Sequence, residues 1–389
     1  MNDGFQWRKW IFRIVSYVLV AALASGGTYL VMSGRGYSKL VQLGGVLEKR
    51  FIGEANPDTM EDAAAAAMVD ALGDRWSYYM NEEEYAAQRQ SKKNSYVGVG
   101  ITISKQENGF YIQAVEPEGP ADQAGVRGGD VIIAVEGDSA VDWTVAQVKE
   151  RIQGEAGTQV NVTLLRGETE LKVDMTRAAI RVTVAKGTML DESTGLVTIT
   201  NFNENCAEQT LAAVEKLLEE GAQRLIFDVR NNGGGYLHEL TNILNYLLPE
   251  GVLIQRVHYN GSEAVDESDA ECLELPMAVL INGSTYSAAE LFAAALSEFE
   301  WATLVGVNTT GKGYYQNTVV LSDGSAVNLS VGKYLTPKGV NLQEAGGLVP
   351  DVIVELTEEQ ATQLRSGKLD PLADPQVLAA MAALEKTEN

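Results

Sequence analysis

The stretch Val279-Leu280-Ile281-Asn282-Gly283-Ser284-Thr285-Tyr286-Ser287-Ala288-Ala289-Glu290 joins three patterns. Its apolar opening reads as a buried strand, its middle as a turn of small residues, and its end as a helix beginning at or near Ser287. A helix start offers unpaired backbone N–H groups and the positive end of a dipole. Both suit a serine nucleophile whose intermediate carries an oxyanion. Ser284, Thr285 and Ser287 are also good helix caps, and a stretch like this by itself is more often a cap than a nucleophile.

Outward from this point the chain alternates strand and helix. Residues 196–199, 225–229 and 277–281 read as strands. Residues 207–220, about 236–248 and 287–299 read as helices, the first ending at Gly221. That alternation predicts an α/β core. Two glycine-rich loops lie within it. Asp228-Val229-Arg230-Asn231-Asn232-Gly233-Gly234-Gly235 follows a strand, and its glycines free backbone N–H groups to face a ligand. Gly311-Lys312-Gly313-Tyr314-Tyr315-Gln316 places a lysine between glycines. Neither is a nucleotide loop: GxGxxG is not matched, and Gly313 stands where a phosphate loop needs Ser or Thr after its lysine.

Residues 95–180 read as short strands. Val97, Val99, Ile101 and Ile103 alternate with small or polar residues, and Asn108-Gly109 is a hairpin signal. Val160, Val162 and Leu164 should face Leu171, Val173 and Met175 across the turn at Gly167, and Val145, Val148 and Ile152 form a helix stripe. Residues 37–92 read as helical, with the run at 63–67 the strongest. The tail from Thr357 also reads as helical, with Asp370-Pro371 and Asp374-Pro375 as breakers.

The N-terminus has its own pattern. Residues 14–32 carry no charge and follow Arg8, Lys9 and Arg13. This length and flanking predict a single membrane anchor with the body on the extracytoplasmic side. The rival is a cleaved signal peptide, since Ala22-Leu23-Ala24 resembles a cleavage site and would release a secreted body. Residues 1–35 hold four basic residues against Asp3, so a net charge of −23 over 389 residues leaves the remainder strongly acidic. Such a body argues against nucleic acid as a partner, because polyanion binding depends on lysine and arginine. Cys206 and Cys272 make no disulfide framework or metal pattern, and whether they pair is open. With two histidines, no HExxH (Asn242 stands where the second His would) and no GxSxG elbow, zinc-protease and hydrolase-elbow chemistry are absent from the sequence.

The three core stretches together resemble the C-terminal (tail-specific) processing peptidases, a PDZ-containing S41-type family with a Ser-Lys dyad. The family's nucleophile motif corresponds to Tyr286-Ser287-Ala288-Ala289-Glu290, its Gly-Lys-Gly turn to Lys312, and its glutamine four positions on to Gln316. Its Asn-Pro-Gly-Gly loop corresponds to residues 232–235. Leu72-Gly73-Asp74-Arg75-Trp76-Ser77-Tyr78-Tyr79-Met80 is similar to the element before the PDZ domain. Gly119-Pro120-Ala121, Ala124-Gly125-Val126 and Gly128-Gly129-Asp130-Val131-Ile132 resemble a PDZ core, and Thr336-Pro337-Lys338-Gly339 with Gly347-Leu348-Val349-Pro350-Asp351 the closing motif. The resemblance spans about residues 40–355.

It implies a crotonase-like α/β protease core (181–356), an inserted PDZ domain (95–180), a helical N-terminal region (36–94) and a helical tail (357–389). It further implies a serine endopeptidase with Ser287 as nucleophile, Lys312 as base and Gln316 positioning the lysine. The oxyanion donors would be Ala288 and Gly234, and no metal or organic cofactor is implied. Substrates would be exported or membrane-associated proteins with free C-terminal tails, held at Val97, Gly98, Val99 and Gly100. Those glycines could equally serve a bulge or close packing. A homo-oligomer is compatible with the sequence.

The chain departs from the family pattern at Gly233 (usually Pro), Tyr286 (usually small), Tyr314 and Tyr315 beside the lysine, and Val340 (often Arg). A lysine takes a serine proton only when uncharged. Its ordinary pKa of about 10.4 makes a shielded site necessary, and the two tyrosines and the absence of an acid in residues 311–316 would help. The rivals from other classes are a catalytically idle PDZ scaffold and a small-ligand carrier on the same core.

Overall fold

The computed structural model describes residues 10, 13–23, 25–27 and 38–387. Of the predicted anchor, residues 14–23 and 25–27 are helical and exposed, and the rest of the stretch to Met32 lies outside the described residues. Among the described residues, no helix is long and apolar enough to cross a membrane.

The chain divides into two compact units. One holds the residues up to Glu83 with Thr318–Leu329. Its helices Ser38–Arg50 and Pro57–Asp70 follow the helix-forming composition, the second opened by the Asn56 cap and a proline in its first turn. The expectation of helix throughout 37–92 fails at Tyr78–Met80. These residues form a strand paired antiparallel with Ala326–Asn328, and Tyr79 reaches Asp62 at 2.6 Å. Paired tyrosines favour a pleated, half-buried surface over a helix.

The second unit holds Glu84–Asn317 and Ser330–Asn389. Its first part is a small antiparallel sheet of Ile101–Gln106, Gly109–Val115, Val131–Val135, Gln159–Arg166 and Thr169–Thr176, with the helix Val145–Ile152 against it. The register pairs Val160 with Met175, Val162 with Val173 and Leu164 with Leu171, as the alternation required. These side chains pack with Phe110, Ile132 and Val148 in one core. Arg166 clamps Asp130 through two bonds of 2.7 and 2.8 Å and holds its carboxyl below the usual carboxylate range.

The larger part is a six-stranded sheet in the order Ala185–Met189, Thr194–Ile199, Arg224–Asp228, Met277–Ile281, Ala302–Gly306, Val352–Ile353, parallel after the first strand. Met277–Ile281 is buried along its whole length, as expected of a parallel strand covered on both faces. Met277, Val279 and Ile281 join the core formed with the helices Cys206–Glu219, Leu237–Leu247 and Ala288–Glu298. Ala278 and Leu280 face the other way and meet Val377, Ala380 and Leu384 of the helix Pro375–Thr387. The expected C-terminal tail is therefore a layer of the core, and Pro375 opens its helix where the sequence suggested a break.

Candidate active site

Three loops leave the carboxyl ends of three neighbouring parallel strands, Arg224–Asp228, Met277–Ile281 and Ala302–Gly306. Crevices at such ends are where open α/β sheets place their ligands. The loops are the glycine-rich stretch 229–235, the serine turn 282–287 and the lysine turn 307–313. The sheet thus gathers motifs that lie far apart in sequence.

Hydrogen bonds stitch the first two loops together. Asn282 Oδ1 accepts from the Asn231 and Ser284 N–H groups, and its Nδ2 donates to Asn231 Oδ1, each at 3.0 Å. Thr285 Oγ1 donates to the Val229 carbonyl at 2.9 Å, and the Tyr286 N–H donates to the Asn232 carbonyl. Ser287 stands at the N-cap position of Ala288–Glu298 with φ 62° and ψ −127°. That is strained backbone for a serine, of the kind that concentrates at functional sites.

Glu290, 0% exposed, ties the lysine turn to the serine turn. Its Oε2 accepts from the Ser287 N–H at 3.0 Å and from the Lys312 N–H at 2.9 Å. Its Oε1 accepts from the Gly311 N–H at 2.7 Å and from the Thr309 hydroxyl. One carboxylate oxygen therefore holds the backbones of both predicted catalytic residues. The sequence reading included Glu290 only as the last letter of a motif. Lys312 is half-buried, with its Nζ 6.0 Å from the centre of the Tyr286 ring. Gln316 follows on the strand Tyr314–Val320, and its amide nitrogen donates to the Tyr314 carbonyl at 2.9 Å and to Ser330 Oγ at 3.1 Å.

Gly234 has φ +84°, and a Cβ there would stand 2.8 Å from the Ala288 nitrogen and 2.9 Å from the Ser287 Cβ. It stands beside Ser287. Its N–H donates to Asn232 Oδ1 at 2.8 Å, the local turn that asparagine makes with the backbone two residues on. The two departures at 233 and 286 meet in space, because a Cβ on Gly233 would lie 2.5 Å from the Tyr286 hydroxyl. Gly233→Ala should therefore push the Tyr286 ring aside and lower kcat/KM about tenfold, a change of about 1.4 kcal/mol. Tyr286→Ala in the same chain should restore most of it. Additive effects of the two substitutions in peptide hydrolysis would contradict this pairing.

Behind the glycine loop, Arg230 is buried between Asp228 (2.9 and 2.6 Å), Asp374 (2.7 Å) and Gln376 (2.7 Å). Burial opposes its charge, but Asp228 and then Asp374 hold the guanidinium above its ordinary pKa. The C-terminal segment thereby braces the loop, a link that no local sequence signal carries.

In the PDZ-like part, Gly98, Val99 and Gly100 line a groove of about 580 Å³ with Tyr96, Ile103 and Ile152. Val97 is not among its lining residues. It belongs to the strand Ser95–Gly98, where pairing places it opposite Ala179. Both cysteines are free thiols, and burial pushes Cys206 up to about 12. His238 is exposed and stacks on Tyr236, while His258 packs against Tyr259 and Tyr315. Among the described residues, no group of His, Cys, Asp and Glu could hold a metal ion.

The profile of peptidase family S41 matches residues 193–354, and that of the PDZ domain residues 111–166. The chain is thus a serine-type peptidase with a PDZ domain. It is 31% identical over 358 residues to the carboxy-terminal processing protease CtpA of Bacillus subtilis, covering 88% of this chain and 77% of that protein. A probable CtpA-like serine protease of Staphylococcus haemolyticus is 28% identical, with 81% and 64% covered. Among solved structures, the photosystem II D1 C-terminal processing protease matches with a TM-score of 0.50 and 28% identity, covering 85% of this chain and 90% of that one. The chain belongs to the S41 family, among its carboxy-terminal processing proteases.

Proposed function

We propose that the protein is an endopeptidase that cuts exported or membrane-associated proteins after its PDZ domain has taken hold of their C-terminal tails, with Ser287 as nucleophile and Lys312 as general base. The observation that carries this reading is the shared carboxylate: Glu290 Oε2 binds the Ser287 and Lys312 amides together. Gln316 holds the lysine amine in position. The Ala288 N–H is one oxyanion donor, as an unpaired amide at a helix start. The loop 233–235 supplies the second once a substrate carbonyl turns the Gly234 N–H away from Asn232. Incubating the full chain with unfolded casein tests the reading. Wild type should degrade it and Ser287→Ala should not; equal rates for the two would refute it.

The PDZ groove supports capture of a free carboxylate by the backbone of Val99, Gly100 and neighbouring residues. A tail peptide with a free C-terminus should bind better than its amidated twin by roughly 1.5–3 kcal/mol, the worth of hydrogen bonds to a charged group. Equal affinities in calorimetry would sink that part of the reading.

The uncharged run at 14–32 behind its basic cluster supports an anchored, exported body. Protease added to intact cells that express the full chain should digest the body. A protected body would contradict export, and a free body in the medium beginning near Ser25 would replace the anchor with a cleaved signal.

A further inference from the structure

The tail beyond the last strand of the sheet, Val352–Ile353, sends two polar side chains back to the start of the glycine loop. Asp374 and Gln376 are each 1% exposed, and both accept from Arg230 Nη1 at 2.7 Å. Gln376 is held in turn. Its Nε2 donates to the Val354 carbonyl at 2.6 Å, and its N–H donates to Asp374 Oδ1 at 2.9 Å. Fold stability alone does not call for this arrangement. Asp228 already matches the Arg230 charge, accepting from Nε, Nη2 and the backbone N–H. Asp374 leaves two buried carboxylates against one guanidinium, and apolar residues of like volume are often as stabilising as a buried ion pair, or more so. What Asp374 and Gln376 add is direction. Asp228 holds the Nε and Nη2 side of the guanidinium, and they hold Nη1, so the group is fixed from both sides.

Arg230 opens the loop that reaches the nucleophile. Asn231 follows in left-handed backbone, φ 58°, with its N–H on Asn282 Oδ1. Asn232 is 0% exposed; its carbonyl accepts from the Tyr286 N–H at 3.1 Å and its Oδ1 from the Gly234 N–H at 2.8 Å. The chain thus passes directly from the braced arginine to the residues that flank Ser287. We propose that Asp374 and Gln376 are positioning residues for peptide hydrolysis: by aiming Arg230 they set the glycine loop against Ser287, so that the C-terminal tail completes the active site. The inference rests on Ser287 as nucleophile and on the loop as part of the oxyanion site, as set out above. Both residues act through Arg230 and not on substrate. Their loss therefore misplaces groups that matter when charge develops and leaves substrate binding in place.

The test compares full-length wild type, Asp374→Asn, Gln376→Met and Ser287→Ala on one peptide substrate, with rates counted per Ser287 that a fluorophosphonate labels at completion. Asparagine keeps the shape and can cap the Gln376 N–H, but then turns its NH₂ group toward Arg230. Methionine keeps the length and loses the acceptor. Per labelled serine, kcat should fall about ten- to a hundredfold in Asp374→Asn and at least about fivefold in Gln376→Met, with KM within about twofold. A peptide aldehyde adds the Ser287 Oγ–H across its C=O and leaves the resulting oxygen at the oxyanion position. Its inhibition constant should rise by the same factor as kcat falls. A merely structural role would lower the labelled fraction and leave both per-site values alone. Loss of a negative charge near the loop would by itself favour an oxyanion, so a fall in kcat in Asp374→Asn reads position and not charge. A kcat per labelled serine within about twofold of wild type in either variant, or a fall in kcat without a matching loss of aldehyde affinity, would overturn the proposal. Activity in Ser287→Ala would instead refute the Ser-Lys reading itself, whatever the other two variants do.

Discussion

Lys312→Arg should give a folded protein with about a thousandth of the wild-type rate or less. A guanidinium keeps its proton at any working pH, so it cannot take one from Ser287. General-base catalysis is worth roughly 10²–10⁴ in rate. The substitution leaves the turn intact, because the residue is anchored through its backbone N–H to Glu290. Lys312→Ala should be equally inactive and equally folded. Wild-type activity should decline as pH falls, since only the uncharged amine can act. Circular dichroism and peptide hydrolysis on the same samples check this. A Lys312→Arg enzyme near the wild-type rate would send the search for a base to His238 or His258. Neither is well placed for it, one being exposed against Tyr236 and the other packed on Tyr259 and Tyr315.

Glu290→Ala should damage both fold and rate. It strips the acceptor from the N–H groups of Ser287, Gly311 and Lys312 and from the Thr309 hydroxyl. A buried donor left unsatisfied costs roughly 1–3 kcal/mol, so the loss should be about 3 kcal/mol or more. The turns that carry Ser287 and Lys312 lose their common anchor, and misplacement by about 1 Å can cost a hundredfold in rate. Glu290→Gln keeps one acceptor oxygen but turns an NH₂ group toward the donors, and should fall between the two. Thermal melts and steady-state kinetics read both effects. Wild-type stability and rate in Glu290→Ala would mean that the carboxylate does not organise the site.

Much of this was legible locally. Period-two alternation set the register of Val160, Val162 and Leu164 against their partners. The uninterrupted apolar run at 277–281 marked a strand covered on both sides. What was not legible depends on residues remote in sequence. The helix that covers Ala278 and Leu280 begins at Pro375, and a proline there signals a stop as readily as a first helical turn. Tyr78–Met80 becomes a strand only because Ala326–Asn328 pairs with it. In the site, Ser287, Lys312 and Gln316 were named through the resemblance of their stretches to the family's motifs, since each stretch by itself was open to a plainer reading. The role of Glu290 emerged only when the fold brought residues 309–312 against it. The commitment of the Gly234 N–H to Asn232, and the meeting of Gly233 with Tyr286, depend on backbone direction, which a run of glycines leaves open.

The central claim is that Ser287 becomes nucleophilic through Lys312. Its most direct measurement is mass-spectrometric location of the adduct after a fluorophosphonate has reacted with the full chain, for wild type and Lys312→Arg in parallel. The account predicts an adduct on Ser287 in wild type and little or none in Lys312→Arg over the same time. An adduct on another residue, or labelling of Ser287 at an equal rate in Lys312→Arg, would contradict it.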